Sequence, residues 1–107
     1  MAPPSKLAVA ISSVQRLAKE EKSYHVELEQ QAARIAKLQA AESTDENADF
    51  QLRQERQALE ETKKVLPSVQ ERLKGAVAQL KEQLEANRAD CPAADVARAD
   101  ELLKSIA

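Results

Sequence analysis

Glycine and aromatic residues are scarce in this sequence of 107 residues, which contains one glycine, one tyrosine, one phenylalanine and no tryptophan. The shortage of aromatic and β-branched residues argues against a β-sheet. With only Tyr24 and Phe50 as aromatic residues, a thick globular core built on large rings is excluded. Charged residues make up 32% of the chain, and Ala, Leu, Glu, Lys and Gln, which favour helices, are abundant. The composition therefore predicts an all-α fold that buries aliphatic side chains along extended seams.

Cysteine and histidine are each present once, as Cys91 and His25. A zinc site or a cysteine nucleophile needs several converging His, Cys or acidic side chains, and these two residues are 66 positions apart. Phosphate-binding loops need clustered glycines, whereas Gly75 stands alone in a helical pattern. We expect Gly75, beside Ala76, to let two helices approach closely opposite Ala10. No enzyme activity, metal or cofactor is expected.

Basic residues are spread along the chain, and no segment is strongly basic. The 16 Lys and Arg residues are balanced by 18 Asp and Glu residues, which gives a formal net charge of -2. Nucleic acid binding needs a dense basic face, so nucleic acid is not an expected partner. The longest apolar run, residues 7–11, is too short for a signal sequence or a membrane span, and the lone cysteine fits a reducing compartment. We expect a cytoplasmic protein that does not bind membranes.

The first helix is predicted from an apolar repeat with alternating spacings of three and four residues. Pro3 and Pro4 prevent helix until about Ser5, which is an N-cap candidate. Eight of the ten repeat positions are nonpolar or tyrosine, which is typical of a heptad seam. Helix 1 is predicted over about residues 5–41. The seam positions are Leu7, Ala10, Val14, Leu17, Glu21, Tyr24, Leu28, Gln31, Ile35 and Leu38.

A second helix is predicted after a polar break at residues 43–47. Ser43 and Glu46 have capping-box spacing, which indicates a turn followed by a helix start. Helix 2 is predicted over about residues 47–88, and Pro67 should kink it because proline removes a backbone hydrogen bond. The kink either shapes a face for a partner or follows the neighbouring helices. The second seam is Leu52, Glu55, Leu59, Thr62, Leu66, Val69, Leu73, Ala76, Leu80 and Gln83.

A short third helix is predicted over about residues 92–106. Pro92 suits its first turn, with Asp90 or Cys91 as the cap, and Val96 and Ala99 begin an apolar stripe. The short connector between helices 1 and 2 favours an antiparallel hairpin. The sequence therefore predicts one helical-bundle domain, residues 1–107. It is an elongated antiparallel three-helix bundle with two long heptad helices, one containing a mid-helix proline, and a short third helix.

Pairing the two seams outward from the connector predicts a register in which Leu7 faces Leu80 and Val14 faces Leu73. The same register places Gln31 opposite Glu55, a polar layer that acts either as a lock on the register or as a recognition spot. Helix 3 is too short to cover residues 26–66. Apolar flanks exposed there usually meet a partner or a second copy of the chain. The flanks belong to Leu28, Ile35, Leu52 and Leu59.

The seven residues 14–20, Val-Gln-Arg-Leu-Ala-Lys-Glu, are followed by Tyr24 and Glu27. In this order they resemble the first-helix signature of the tubulin-binding cofactor A family of tubulin-specific chaperones. Helix 2 is similar to the family at Glu61-Thr62, at the mid-helix dipeptide Leu66-Pro67 and at Arg72-Leu73. The resemblance covers about residues 9–84.

The resemblance implies a three-helix bundle that captures β-tubulin released from the cytosolic chaperonin and keeps it quasi-native without hydrolysing nucleotide. It also implies a cytoplasmic, cytoskeleton-associated protein, with other tubulin-folding cofactors as further candidate partners. The alternative is a generic coiled-coil scaffold or trafficking subunit that dimerises through the distal part of the hairpin. Whether the chain is a monomer or a homodimer stays open.

Candidate partner-binding residues are the charged side chains that the signature places away from the seams. Leu17 and Tyr24 lie in the seam and are expected in the core, whereas their charged neighbours could contact a partner. Simple solvation of a charged helix face is the alternative for each residue. The candidates are Arg16, Lys19, Glu20, Glu27, Glu61 and Arg72.

Overall fold

A computed structural model describes residues 5–41 and 46–106 of the chain. Within these residues there are three helices and no strand: α1 (Lys6–Ala40), α2 (Glu46–Asn87) and α3 (Ala93–Ile106). The all-α class, the two long helices and the short third helix are confirmed. Pro3 and Pro4, which we predicted to prevent helix before Ser5, and the predicted Ser43 capping box lie outside the described residues.

Local hydrogen bonds explain where α1 and α3 begin. The Oγ of Ser5 accepts a hydrogen bond from the backbone N of Ala8 at 3.0 Å, so Ser5 is the N-cap that the sequence predicts. The carbonyl of Pro92 accepts bonds from the backbone N of Asp95 at 3.0 Å and of Val96 at 3.1 Å. Pro92, which we predicted in the first turn of α3, therefore stands at the cap position itself. In α2, Pro67 lies inside the helix as predicted.

Backbone packing divides the chain into two compact units. Unit 1 consists of Met1–Glu20 and Val69–Ala107, and unit 2 consists of Glu21–Ser68. Unit 1 therefore contains segments of all three helices, whereas unit 2 contains segments of α1 and α2 only. The single domain proposed from the sequence, residues 1–107, stays a prediction.

The core of unit 1 forms where the three helices meet. Its buried cluster takes Leu7, Ile11 and Val14 from α1, and Ala99 is the α3 residue that is fully buried in it. Leu7 and Leu80 lie in this one cluster, as the predicted register requires. Ile11, which is outside the predicted seam, is fully buried because packing against a third helix widens the apolar stripe. The cluster is Leu7, Ile11, Val14, Leu80, Leu84 and Ala99.

Among the described residues, unit 2 has fewer buried side chains than unit 1, and two of its three are polar. Gln31 is 4% exposed, Thr62 is 8% exposed and Leu66 is 9% exposed. The Oγ1 of Thr62 donates to the carbonyl of Ala58 at 3.0 Å, which satisfies this hydroxyl within its own helix. The four apolar flanks predicted to be exposed in this part of the chain are half-buried. They are Leu28, Ile35, Leu52 and Leu59.

Gln31 and Glu55, which we predicted to face each other as a polar layer, form hydrogen bonds with different residues. Gln31 donates from Nε2 to Glu27 Oε1 at 3.3 Å, whereas Glu55 Oε1 accepts from Arg34 Nε at 3.0 Å. The Oε1 of Gln31 is buried and has no hydrogen-bond partner among the described residues. An unsatisfied buried carbonyl costs free energy, so this amide lowers the stability of unit 2.

Gly75 does not mediate a close helix approach, and our expectation for it was wrong. It is exposed, and a Cβ placed on it meets no atom within 4 Å among the described residues. The sequence pattern suggested a contact because Gly75 is beside the seam residue Ala76. A side chain at position 75 would, however, point into open space. Its remaining effect is the entropic cost of glycine inside a helix.

We predict that Leu80→Ala destabilises the protein by about 2–5 kcal/mol, because it removes a fully buried side chain from the three-helix core. Urea unfolding followed by circular dichroism measures the change. The control Val9→Ala, at a position that is 52% exposed, should change the free energy of unfolding by less than about 0.5 kcal/mol. Equal losses from both variants would contradict the assigned core.

We predict that Gly75→Ala stabilises the protein by about 0.5–1 kcal/mol, since alanine loses less conformational entropy in a helix and its methyl group meets open space. Thermal unfolding should show a higher Tm. The reverse change at a nearby exposed position, Ala78→Gly, should lower the Tm by a comparable amount. A lower Tm for Gly75→Ala would indicate a steric contact at this position.

We predict that Gln31→Leu raises the free energy of unfolding by about 1 kcal/mol, because it removes a buried carbonyl oxygen that has no donor among the described residues. Glu27, which loses the Gln31 bond, is exposed and can be hydrated instead. The same substitution at the exposed neighbour Gln30 should have little effect on urea unfolding. Destabilisation by Gln31→Leu would mean that the amide contributes to the fold.

Candidate protein-binding surface

The six candidate contact residues are divided between the two units. Unit 1 contains Arg16, Lys19 and Glu20 on adjacent turns of α1 and Arg72 on α2, and unit 2 contains Glu27 on α1 and Glu61 on α2. Glu20 is half-buried, and the other five residues are exposed. Lys19 and Arg72 each interact with other groups of the protein. The four residues of unit 1 are therefore three cations and one anion, whereas both candidates in unit 2 are anions.

Glu27 belongs to an ion-pair network that links α1 and α2 within unit 2. Its Oε1 lies 3.7 Å from a terminal guanidinium nitrogen of Arg34, and the Nε of Arg34 lies 3.0 Å from Glu55 Oε1. The Arg34 and Glu27 side chains are each 47% exposed, so solvent screens the pair strongly. A partner that contacts Glu27 would compete with Arg34 for the carboxylate. Sequence reasoning missed Arg34, although its spacing of seven residues from Glu27 places both on one helix face.

Arg16 borders a shallow cleft on unit 1 that is formed by one face of α1. The cleft has a volume of about 320 Å³ and is lined by small side chains and by Val9, which is 52% exposed. The other lining residues are Ala8, Ser12 and Ser13. Arg16 therefore extends beside an accessible, uncharged strip of helix that a partner could contact.

A larger cleft lies in unit 2, near the ends of α1 and α2 that flank the connector. Its volume is about 520 Å³, and its surface is mostly apolar. Phe50 on its border is 53% exposed, which is the largest exposed fraction among the exposed large hydrophobic side chains of the described residues. We did not predict this cleft from the sequence. Phe50, an aromatic residue outside the seam to which Leu52 belongs, was the signal for it. The lining residues are Arg34, Lys37, Leu38, Ala41, Phe50, Gln51, Gln54 and Glu55.

The connector between α2 and α3 is fixed by a paired contact of Arg88 and Asp100. The two terminal nitrogens of the Arg88 guanidinium donate to the two carboxylate oxygens of Asp100, each at 3.2 Å. This hydrogen bonding, together with the negative charge of Asp100, raises the pKa of Arg88 above its ordinary value. The pair is solvent-exposed, so its main effect is to orient α3 relative to the end of α2 rather than to stabilise the fold.

Residues 5–41 and 46–106 contain neither a candidate metal site nor a candidate membrane-spanning helix. No three His, Cys, Asp or Glu side chains within these ranges come close enough to hold a metal ion. None of the described helices has the length and apolar content that crossing a membrane requires. The features that stand out on this surface are charged helix faces and open clefts.

Three comparisons with known proteins agree. The family model described as Tubulin binding cofactor A matches residues 2–103. The chain is 34% identical over 82 residues to Tubulin-specific chaperone A of Saccharomyces cerevisiae, which covers 77% of this chain and 71% of the yeast protein. The crystal structure of tubulin folding cofactor A from Arabidopsis thaliana matches with a TM-score of 0.77 and 26% identity, covering 94% of this chain and 91% of the plant chain.

The family match extends past the range that the sequence resemblance covered. Residues 9–84 resemble the family in their motifs, whereas the matched range of residues 2–103 also includes most of α3. The structural match covers nearly all of both chains, so the plant protein and this chain share a fold. The resemblance seen in the sequence is confirmed, and the chain belongs to the tubulin binding cofactor A family.

Proposed function

We propose that this protein is a chaperone that captures β-tubulin released from the cytosolic chaperonin and keeps it in a quasi-native state. The observation that carries the proposal is the family match over residues 2–103, since the family is one of tubulin-binding cofactors. The yeast relative is itself named a tubulin-specific chaperone. Family membership supports tubulin binding and a chaperone role in general.

The surface of the protein supports a holding role. Stable protein complexes bury about 800 Å² on each partner, which needs a broad and accessible face. The 35 residues of α1 extend for about 52 Å at about 1.5 Å per residue, and the clefts along the helices are open rather than enclosed. Contact with a folded client along helix faces needs no chemical step. We therefore propose that the protein acts without catalysis and without nucleotide hydrolysis.

We propose the six charged candidates as contacts for the client. Charged groups at the edge of an interface guide association and exclude wrong partners more than they add affinity. The cationic residues of unit 1 would select acidic regions of tubulin, and the anionic residues of unit 2 would select basic regions. The residues are Arg16, Lys19, Glu20 and Arg72 in unit 1, and Glu27 and Glu61 in unit 2.

The cellular setting follows from the same proposal. The family implies a cytoplasmic protein, and a tubulin client would associate it with the cytoskeleton. Other tubulin-folding cofactors are proposed as further partners because a client held by one cofactor must be passed to the next step. The chain would act as a monomer or as a homodimer.

We predict that charge reversal at the proposed contacts weakens retention of β-tubulin. The variants Arg16→Glu, Lys19→Glu, Glu27→Lys and Arg72→Glu should each lower retention in a pull-down by roughly threefold to tenfold, since like charges then oppose each other at the interface. Circular dichroism of each variant should show unchanged helicity.

Two exposed residues outside the candidate set provide matched controls. Lys81→Glu and Glu29→Lys change the charge by the same amounts on the same two helices and should leave retention unchanged. Equal retention by all variants and controls would remove the charged faces from the binding surface. A wild-type chain that retains no β-tubulin would refute the proposed function itself.

A further inference from the structure

The cleft of unit 2 between residues 34–41 of α1 and residues 50–55 of α2 has a composition suited to a particular kind of ligand. We propose that it is a docking site for a segment of the client protein that carries an apolar side chain next to a carboxylate. The proposal rests on the proposed function and names a binding site that the six charged candidates do not include. It depends on the apolar surface of the cleft, its charge balance and its accessibility.

The apolar part of the site is supplied by both helices. Leu38 and Ala41 line it from α1, and Phe50 lines it from α2. A phenylalanine that is 53% exposed leaves much apolar surface in water, and covering this surface with a partner side chain is favourable. The volume of about 520 Å³ is within the range of about 300–1,000 Å³ that is usual for binding clefts. The cleft can therefore accept a large apolar side chain.

The charges that line the cleft indicate which polar group accompanies that side chain. Glu55 is already paired with Arg34, since the Arg34 Nε lies 3.0 Å from Glu55 Oε1. Lys37 forms no ion pair with any residue in the ranges 5–41 and 46–106. Of the two cations among the described residues that line the cleft, Arg34 already pairs with Glu55 and Glu27, which leaves Lys37 to pair with an incoming carboxylate. Gln51 offers an amide for a further hydrogen bond.

The charge balance also decides between a client segment and a second copy of this chain. In a two-fold symmetric dimer built on this cleft, the same surface of each copy would meet itself. Among the described residues that line the cleft, the carboxylate that a second copy would bring is that of Glu55, which is already paired with Arg34, so a second copy supplies no free carboxylate for Lys37. An acidic, apolar segment of a different protein does supply one. We therefore assign the cleft to the client.

The test uses the full chain in a pull-down with purified β-tubulin. Phe50→Ala should weaken retention about tenfold, which corresponds to about 1.4 kcal/mol, because the variant loses the apolar surface that the client side chain would cover. Lys37→Glu should weaken retention roughly fivefold to tenfold, because it reverses the charge that faces the carboxylate. Both side chains are exposed, so helicity should be unchanged.

A matched pair of controls lies elsewhere on unit 2. Val26 is 43% exposed, and Lys22 lies one turn before it on α1, so the pair also combines an exposed apolar side chain with a cation. Val26→Ala and Lys22→Glu should change retention less than about twofold. Retention by Phe50→Ala and Lys37→Glu at the wild-type level would overturn the docking site while leaving the proposed function in place. A wild-type chain that retains no β-tubulin would overturn both.

A benzophenone photocrosslinker incorporated in place of Phe50 identifies the occupant directly. Mass spectrometry of the crosslinked product should find a β-tubulin peptide that contains Asp or Glu beside an apolar residue. A crosslink to a second copy of the chain, or to a β-tubulin peptide without acidic residues, would overturn the proposal. The same crosslinker at position 26 should yield little product.

Discussion

Burial of aliphatic side chains between three helices is the interaction on which the structure of unit 1 depends. The chain has two aromatic residues, and neither belongs to this cluster, so Leu, Ile, Val and Ala must exclude water by packing closely. Ala99 shows how this works, because its small side chain lets α3 approach the pair formed by α1 and α2. The half-buried residues of α3 then cover the edges of the cluster. The short third helix is therefore part of the core and not an appendage.

Unit 2 shows the result of packing only two helical segments together. Its buried positions include Gln31 and Thr62, and its aliphatic seam residues other than Leu66 stay half-buried. Polar residues at such positions lower stability but oppose a shifted pairing of the helices, because a shift would bury them against apolar neighbours. Incomplete burial also leaves apolar surface accessible, which a protein-binding module needs. Unit 2 therefore has less buried apolar surface to stabilise it and more accessible apolar surface with which to bind a partner.

The sequence predicted the class of fold and the number of helices because the heptad repeats of α1 and α2 are long and regular. It could not predict the burial of Ile11, since a two-helix seam does not show where a third helix packs. The prediction of a close helix contact at Gly75 was wrong for a related reason. Its neighbour Ala76 follows the repeat, but whether Gly75 faces another helix depends on how the helices pack. The charged candidates were found through a family resemblance, and their roles remain proposals. The cleft at Phe50 depends on side chains from two helices and has no local pattern in the sequence.

Cys91 gives the corner between α2 and α3 a thiol group, which the rest of the chain does not have. It is the single cysteine of the sequence, it is half-buried, and it packs against the three-helix core. A thiol reagent reaches such a sulfur more readily when the corner opens, so the rate of labelling rises with local opening and does not require global unfolding. Because the Arg88 and Asp100 contact joins this corner to α3, the kinetics of one sulfur atom report how often the third helix separates from the other two.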